Sequence, residues 1–122
     1  MHQGYQCTNT EGNFVIKHAY AEKALAHTPP DGKAGRSGYP HPFQNTEKIK
    51  WETKGCQGKH RRSTMLEFPV LESGELYDYK KSPKDEPGPA RIAYLYPGKV
   101  LCGVIAHRAG SGDFFDLCES DL

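Results

Sequence analysis

No apolar run in this chain of 122 residues approaches the roughly 20 residues that a membrane-spanning helix needs. The longest, Val100 to Ala106, has the length of one buried strand. Mean hydropathy is −0.75, well on the polar side. No cysteine pair has metal-finger spacing, which argues against a zinc-built domain. No Asn-x-Ser/Thr site for N-glycosylation occurs. No secretory leader is visible, because Met1-His2-Gln3-Gly4 runs straight into polar sequence; an exported protein is therefore expected here in its mature form, with Met1 left from expression. Neither sign of charge dominates: 16 Lys and Arg face 15 Asp and Glu, for a net +1.

Glycine and proline are plentiful instead, at 13 and 9. They mark a single loop-rich domain, spanning 1–122, with a modest core. Four cysteines lie at 7, 56, 102 and 118. An even count in a small loop-rich domain points to two disulfides and an oxidising compartment; four reduced, buried thiols in a cytosolic protein are the alternative. Three pairings are open. One of them, Cys7 with Cys118, would tie the chain ends together across roughly 110 residues, worth up to ~4–5 kcal/mol in loop-closure entropy.

Charge is uneven along the chain. Between residues 48 and 62 six Lys and Arg stand against Glu52 alone, and Lys80, Lys81 and Lys84 form a second basic group. The last ten residues hold Asp113, Asp116, Glu119 and Asp121 with no base. One end suits a polyanion and the other repels it, although a charge run is also the ordinary make-up of a solvated loop.

His18 to Ala26 is the one stretch that predicts a helix, with Tyr20, Ala21, Ala24 and Leu25 on one face and Pro29-Pro30 as its stop. A hairpin is expected within residues 3–16. The second half predicts strands at Met65–Leu71, Glu75–Lys80, Ala90–Tyr96, Lys99–His107 and Phe114–Cys118, with tight turns at Ser73-Gly74 and Pro97-Gly98. Short connections favour antiparallel pairing. The expected fold is α+β: one short helix on a twisted antiparallel sheet of about five strands.

Four polar residues stand out inside short extended runs: His41, Glu67, Arg91 and His107. Strand alternation places Glu67 opposite Leu66, Phe68 and Val70, and Arg91 opposite Ile92, Tyr94 and Tyr96. Without a bulge, His107 lies opposite Cys102, Val104 and Ala106. Burying the apolar trios under the helix would gather Glu67, Arg91 and His107 on the open face. One such residue would read as a surface group; three, each of a useful type, read as a site. A carboxylate can take the proton of a ribose 2′-OH, an imidazolium can protonate a leaving oxygen, and a guanidinium can hold charge building on phosphorus. Those are the needs of RNA cleavage without a metal or other cofactor.

The motifs Ser37-Gly38-Tyr39-Pro40-His41-Pro42-Phe43, Leu66-Glu67-Phe68-Pro69, Pro87-Gly88-Pro89-Ala90-Arg91 and Cys102-Gly103-Val104-Ile105-Ala106-His107, in that order, resemble the fungal guanyl-specific ribonucleases. Within that superfamily the chain is most similar to the ribotoxins, over roughly residues 31–118. The resemblance implies roles. Glu67 matches the general base, His107 the general acid, His41 an electrostatic helper able to serve as base, and Arg91 the group that stabilises the phosphorane. Tyr39 matches a phosphate-contacting phenol, and Phe115 an apolar neighbour of the scissile group. Phe43, Gln44, Asn45, Thr46 and Glu47 match the guanine-holding loop, with Glu47 accepting from guanine N1 and N2. Lys81 and Lys84 match lysines near a bulged guanine of the target. The cysteines match the pairing Cys7–Cys118 and Cys56–Cys102; Cys102, facing away from His107, would leave catalysis unobstructed.

The implied protein is a secreted monomer. It acts in the cytosol of target cells on the sarcin–ricin loop of large-subunit ribosomal RNA, with acidic membrane lipids as a further partner. The departures are plain: the chain is shorter and less basic than is usual for a ribotoxin, the segment between Phe43 and Met65 is short, the N-terminal hairpin is reduced, and the acidic tail lowers the net charge to +1. A general extracellular guanyl-specific ribonuclease, or a non-catalytic secreted effector of the same fold, are the alternative readings. The complete catalytic set speaks against the second.

Overall fold

The protein is described by a computed structural model covering residues 4–9, 12–45, 48–58, 63–107 and 115–120. The expected hairpin is present as β1 (Gly4–Asn9) and β2 (Gly12–Lys17), paired antiparallel, with Tyr5 across from Ile16 and Cys7 from Phe14. A short return strand, β8 (Glu119–Ser120), pairs with β1 and completes a three-stranded sheet.

The helix α1 spans His18–His27. Ala21, Ala24 and Leu25 are buried, which is the i, i+3, i+4 stripe visible in the sequence, and Tyr20 packs at its margin. Thr28 ends it: its N–H and its Oγ1 both donate to the Leu25 carbonyl, at 3.2 and 2.7 Å. Ten residues are too few for a stable isolated helix, so α1 is held by the sheet beneath it. Its first turn is tied to the hairpin by Tyr5 Oη against His18 Nδ1 at 3.1 Å, with His18 Nε2 3.1 Å from Glu22. Burial, then the charges of Glu22 and Glu52, push the Tyr5 phenol up to about 12.

The main sheet has five antiparallel strands in the order β3-β4-β5-β6-β7. They are β3 (His41–Pro42), β4 (Thr64–Pro69), β5 (Ala90–Tyr96), β6 (Val100–His107) and β7 (Phe115–Leu117). The face toward α1 buries Leu66, Phe68, Ile92, Tyr94, Val104 and Ala106. The disulfide Cys7–Cys118 joins the hairpin to the C-terminal segment, and Cys56–Cys102 joins a 3₁₀ turn at Lys54–Cys56 to β6.

Three expectations need correction. Residues 75–80 form no strand. Tyr77 and Tyr79 do turn inward alternately, but their carbonyls bond to the His27 ring (3.1 Å) and to the Ser37 N–H (3.1 Å) rather than to a neighbouring strand. This segment is wedged between the end of α1 and the 29–38 loop. Second, β6 carries a bulge. Ala93 pairs with Gly103 and Tyr94 with Leu101, so Cys102 is the extra residue. Leu101 therefore turns toward the helix side, while Cys102 joins Ile105 on the opposite face. Cys102 thus lies on the same face as His107, contrary to simple alternation. Third, that face is not open. Phe43, Trp51 and Cys56 close over Met65, Ala93, Leu95 and Ile105 as a second apolar cluster.

Candidate active site

Register brings the polar residues together. In the β3–β4 pair His41 is directly across from Glu67, and in β4–β5 Glu67 is across from Ala93, two positions from Arg91. Arg91 is across from Ile105, two positions from His107, and His107 is across from Phe115. A period of two thus sets Glu67, Arg91 and His107 along one diagonal of one face. Glu67 and Arg91 are only 5% and 3% exposed. His41 is far more open, with 43% of its side chain accessible.

The carboxylate lies between two bases. His41 Nδ1 and Arg91 Nε each sit 3.7 Å from a Glu67 oxygen. Both separations exceed hydrogen-bond length, so the Arg91 contact acts through charge rather than through a shared proton. Around Arg91 the geometry is tighter. Nη1 donates to the carbonyls of Gly88 (2.7 Å), Ala90 (3.0 Å) and Pro87 (3.3 Å). Nη2 donates to the Tyr39 hydroxyl at 3.2 Å and lies 3.4 Å from His107 Nε2.

Aromatic rings wall the site. Tyr39 stacks on His41 at 4.7 Å between centroids, and Phe115 stacks on His107 at 4.3 Å. The guanidinium carbon of Arg91 lies 5.3 Å from the Tyr39 ring centre and 5.8 Å from that of Phe115. Behind Phe115, Phe43 meets it edge-on at 6.0 Å and meets Trp51 in the same way. The imidazole of His107 is therefore backed by a run of rings that reaches the Cys56 loop.

Phe43 belongs to this wall, and its N–H donates to the Met65 carbonyl at 2.9 Å. Gln44 is exposed at the rim. Asn45 takes a left-handed backbone (φ 53°), and its side chain brackets Ile49, accepting from its N–H at 2.7 Å and donating to its carbonyl at 3.0 Å. Residues 43–45 line a cavity of about 490 Å³ with Trp51, Cys56 and Met65. Thr46 and Glu47 lie outside the described residues, as do Lys59, His60, Arg61 and Arg62 of the basic segment. Lys84 Nζ lies 5.6 Å from the Tyr39 ring centre, on the approach to the site. Lys81 is instead held by Asp85 at 2.7 Å. That hydrogen bond, and then the charge of Asp85, raise the Lys81 ammonium above its ordinary range.

Sequence reasoning missed the backbone carbonyls around Arg91 and the partner of Lys81. The first leaves a trace as the Pro-Gly-Pro turn just before the arginine; the second leaves one too, since Lys81 and Asp85 stand at a spacing of four.

Comparisons with known proteins add an independent line. The family model described as ribonuclease matches residues 4–119. Ribonuclease clavin of Aspergillus clavatus is 40% identical over 122 aligned positions, which cover 81% of this chain and 68% of clavin. Guanyl-specific ribonuclease Pc of Penicillium chrysogenum is 32% identical over 83, covering 68% of each chain. Among solved structures, the ribotoxin restrictocin complexed with a 29-mer sarcin/ricin domain RNA analogue superimposes with a TM-score of 0.78 at 31% identity, covering 94% of this chain and 98% of that one.

Proposed function

The chain belongs to the ribonuclease family, in its ribotoxin branch, and from that membership we propose that it cleaves RNA after guanine at the sarcin–ricin loop of large-subunit ribosomal RNA. The observation that carries this reading is the mutual distance set of 3.4 to 3.7 Å linking His41, Glu67, Arg91 and His107, which fits all four to one ribose–phosphate unit. Glu67 takes the 2′-OH proton, and the oxygen attacks the adjacent phosphorus. His107, protonated, delivers its proton to the departing 5′-oxygen. The products are a 2′,3′-cyclic phosphate and a free 5′-OH. Hydrolysis of the cyclic ester runs the two roles in reverse, with water as the nucleophile.

Charge on the phosphorane is held by Arg91, the Tyr39 hydroxyl and His41. Arg91 suits that task because its Nη1 bonds go to neutral carbonyls, which orient the fork without cancelling its charge. Deoxyribose has no 2′-OH, so DNA is inert by this route.

Guanine preference rests on the loop from Phe43 to Glu47. Secretion as a monomer fits the two disulfides, which need an oxidising compartment. Entry into target cells would engage acidic lipids through the basic 48–62 segment.

The deciding experiment offers intact ribosomes and naked RNA side by side at several salt concentrations. One discrete ribosomal RNA fragment is expected; a ladder ending at every guanine would instead mark a general guanyl-specific ribonuclease. The lysines give a second expectation. Lys84, beside the Tyr39 ring, can meet a phosphate from the conformation it already holds, whereas Lys81 must first leave Asp85. Asp85→Asn should therefore tighten RNA binding at low salt and steepen its salt dependence by about 0.7 in log–log slope, one phosphate contact's worth. An unchanged slope in equilibrium binding would show that Lys81 never reaches the RNA.

A further inference from the structure

Four consecutive backbone carbonyls converge on two residues of the site. Those of Pro87, Gly88 and Ala90 accept from Arg91 Nη1, and that of Pro89 accepts from the His107 N–H at 2.9 Å. No side chain of this turn takes part. We infer that the Pro87–Ala90 turn is a carbonyl clamp that sets the positions of Arg91 and His107 together, and that Gly88 is the positioning residue on which it depends. The inference rests on the roles assigned above to that arginine and histidine.

The turn closes at Gly88, whose φ of 71° lies in the left-handed region. Most residues with a Cβ avoid that region, and Asn is among the few that enter it readily. With this φ the Gly88 carbonyl is aimed at Arg91 in the shortest of the three contacts. A backbone that relaxed to negative φ would rotate the adjoining peptide planes and withdraw the acceptor. Space is not the constraint. A Cβ added at Gly88 would meet nothing closer than Leu71 Cδ2 at 3.5 Å, an ordinary contact. Substitution here therefore tests backbone conformation with little steric interference.

The clamp has a chemical rationale. Arg91 already faces one carboxylate, that of Glu67, 3.7 Å from Nε; anchoring the Nη1 end on carbonyl dipoles rather than on further carboxylates fixes its plane and leaves more of its charge for the phosphate. The Pro89 carbonyl holds the last residue of β6 by its main chain, so the acid and the guanidinium share one rigid frame. Two prolines flanking Gly88 restrict the turn to few conformations before the substrate arrives.

The test compares Gly88→Ala with Gly88→Asn in the full chain, using a guanylyl dinucleoside phosphate as substrate. Gly88→Ala is expected to lower kcat by about 10- to 100-fold, the scale of an ångström-sized misplacement. KM should move little, because Arg91 acts on charge that develops in the transition state. Gly88→Asn should recover most of the native kcat. A second readout needs no turnover: the Arg91 Nη resonances in NMR should be separate and slowly exchanging in the native protein and in Gly88→Asn, and merged in Gly88→Ala. Native kcat with unaltered Arg91 resonances in Gly88→Ala overturns the clamp. So does a Gly88→Asn variant as slow as Gly88→Ala, since the side chain and not the backbone would then be responsible. A native protein that leaves the dinucleotide intact overturns the nuclease reading itself, while the Arg91 resonances still decide the clamp.

Discussion

Glu67→Gln lowers RNA cleavage by about 10²- to 10⁴-fold, the span that a lost general base commands. The amide keeps the volume of the carboxylate, and the apolar face of β4 is untouched, so far-UV circular dichroism should stay native. What disappears is the proton acceptor and the anion between His41 and Arg91. With Glu67 gone, His41 across the strand pair is the next available base. The residual activity should therefore disappear in the double variant Glu67→Gln/His41→Gln, measured with the same RNA. His107→Gln is the complementary case: the rate falls comparably, and the alkaline limb that reports the acid is lost. Native rates in either variant would remove these residues from the mechanism.

The second large effect concerns stability. Replacing both Cys7 and Cys118 by Ala should cost about 2–5 kcal/mol in denaturant unfolding, because the bridge closes a loop with a sequence separation of 111. The strand pairing beside it is short: among the described residues β8 meets β1 at Tyr5↔Ser120 and Gln6↔Glu119. Without the bridge, the C-terminal segment has little to hold it on the hairpin. Glu67, Arg91 and His107 lie on the other sheet, so activity at low temperature should survive. The Cys56–Cys102 bridge, with a separation of 46, makes an informative control. Its loop is less than half as long, but the logarithmic dependence makes it worth only about 0.8 kcal/mol less. Because it anchors the loop that carries Trp51 behind Phe43 and Phe115, its removal should slow catalysis as well. A loss below about 1 kcal/mol for the Cys7–Cys118 pair would mean that the unfolded chain already keeps its ends close.

What could be read from the sequence follows physical lines. The α1 stripe was legible because Ala21, Ala24 and Leu25 repeat at helical spacing before two prolines. The diagonal of Glu67, Arg91 and His107 was legible because alternation is strict in β4, in β5 and in the second half of β6. Alternation failed where it depended on an unseen partner. The 75–80 segment alternates as a strand does, yet whether a ladder forms is decided by what lies beside it, and here that is a helix end and a loop. The bulge at Cys102 was invisible for a similar reason: an extra residue shows only against the neighbouring strand. The roof over the site escaped notice because Phe43 and Trp51 come from a loop without periodicity. The general roles of Glu67, Arg91 and the histidines followed from their chemistry; those of Tyr39, Phe115 and the 43–47 loop came from family resemblance, since they leave no mark in spacing alone.

The bulge gives β6 two tasks that a regular strand could not combine. Upstream of Gly103 the strand must present a sulfur to the Cys56 loop; downstream it must present an imidazole to the nucleotide, and both must look the same way. Five positions separate the two residues, an odd number that strict pleating would send to opposite sides. The single extra residue reconciles them. Substitution along β6 is therefore a local matter, but removing or adding one residue there is not: it would uncouple the crosslink from the catalytic side of the sheet. Natural or engineered changes in length should accumulate in the loops and spare this strand.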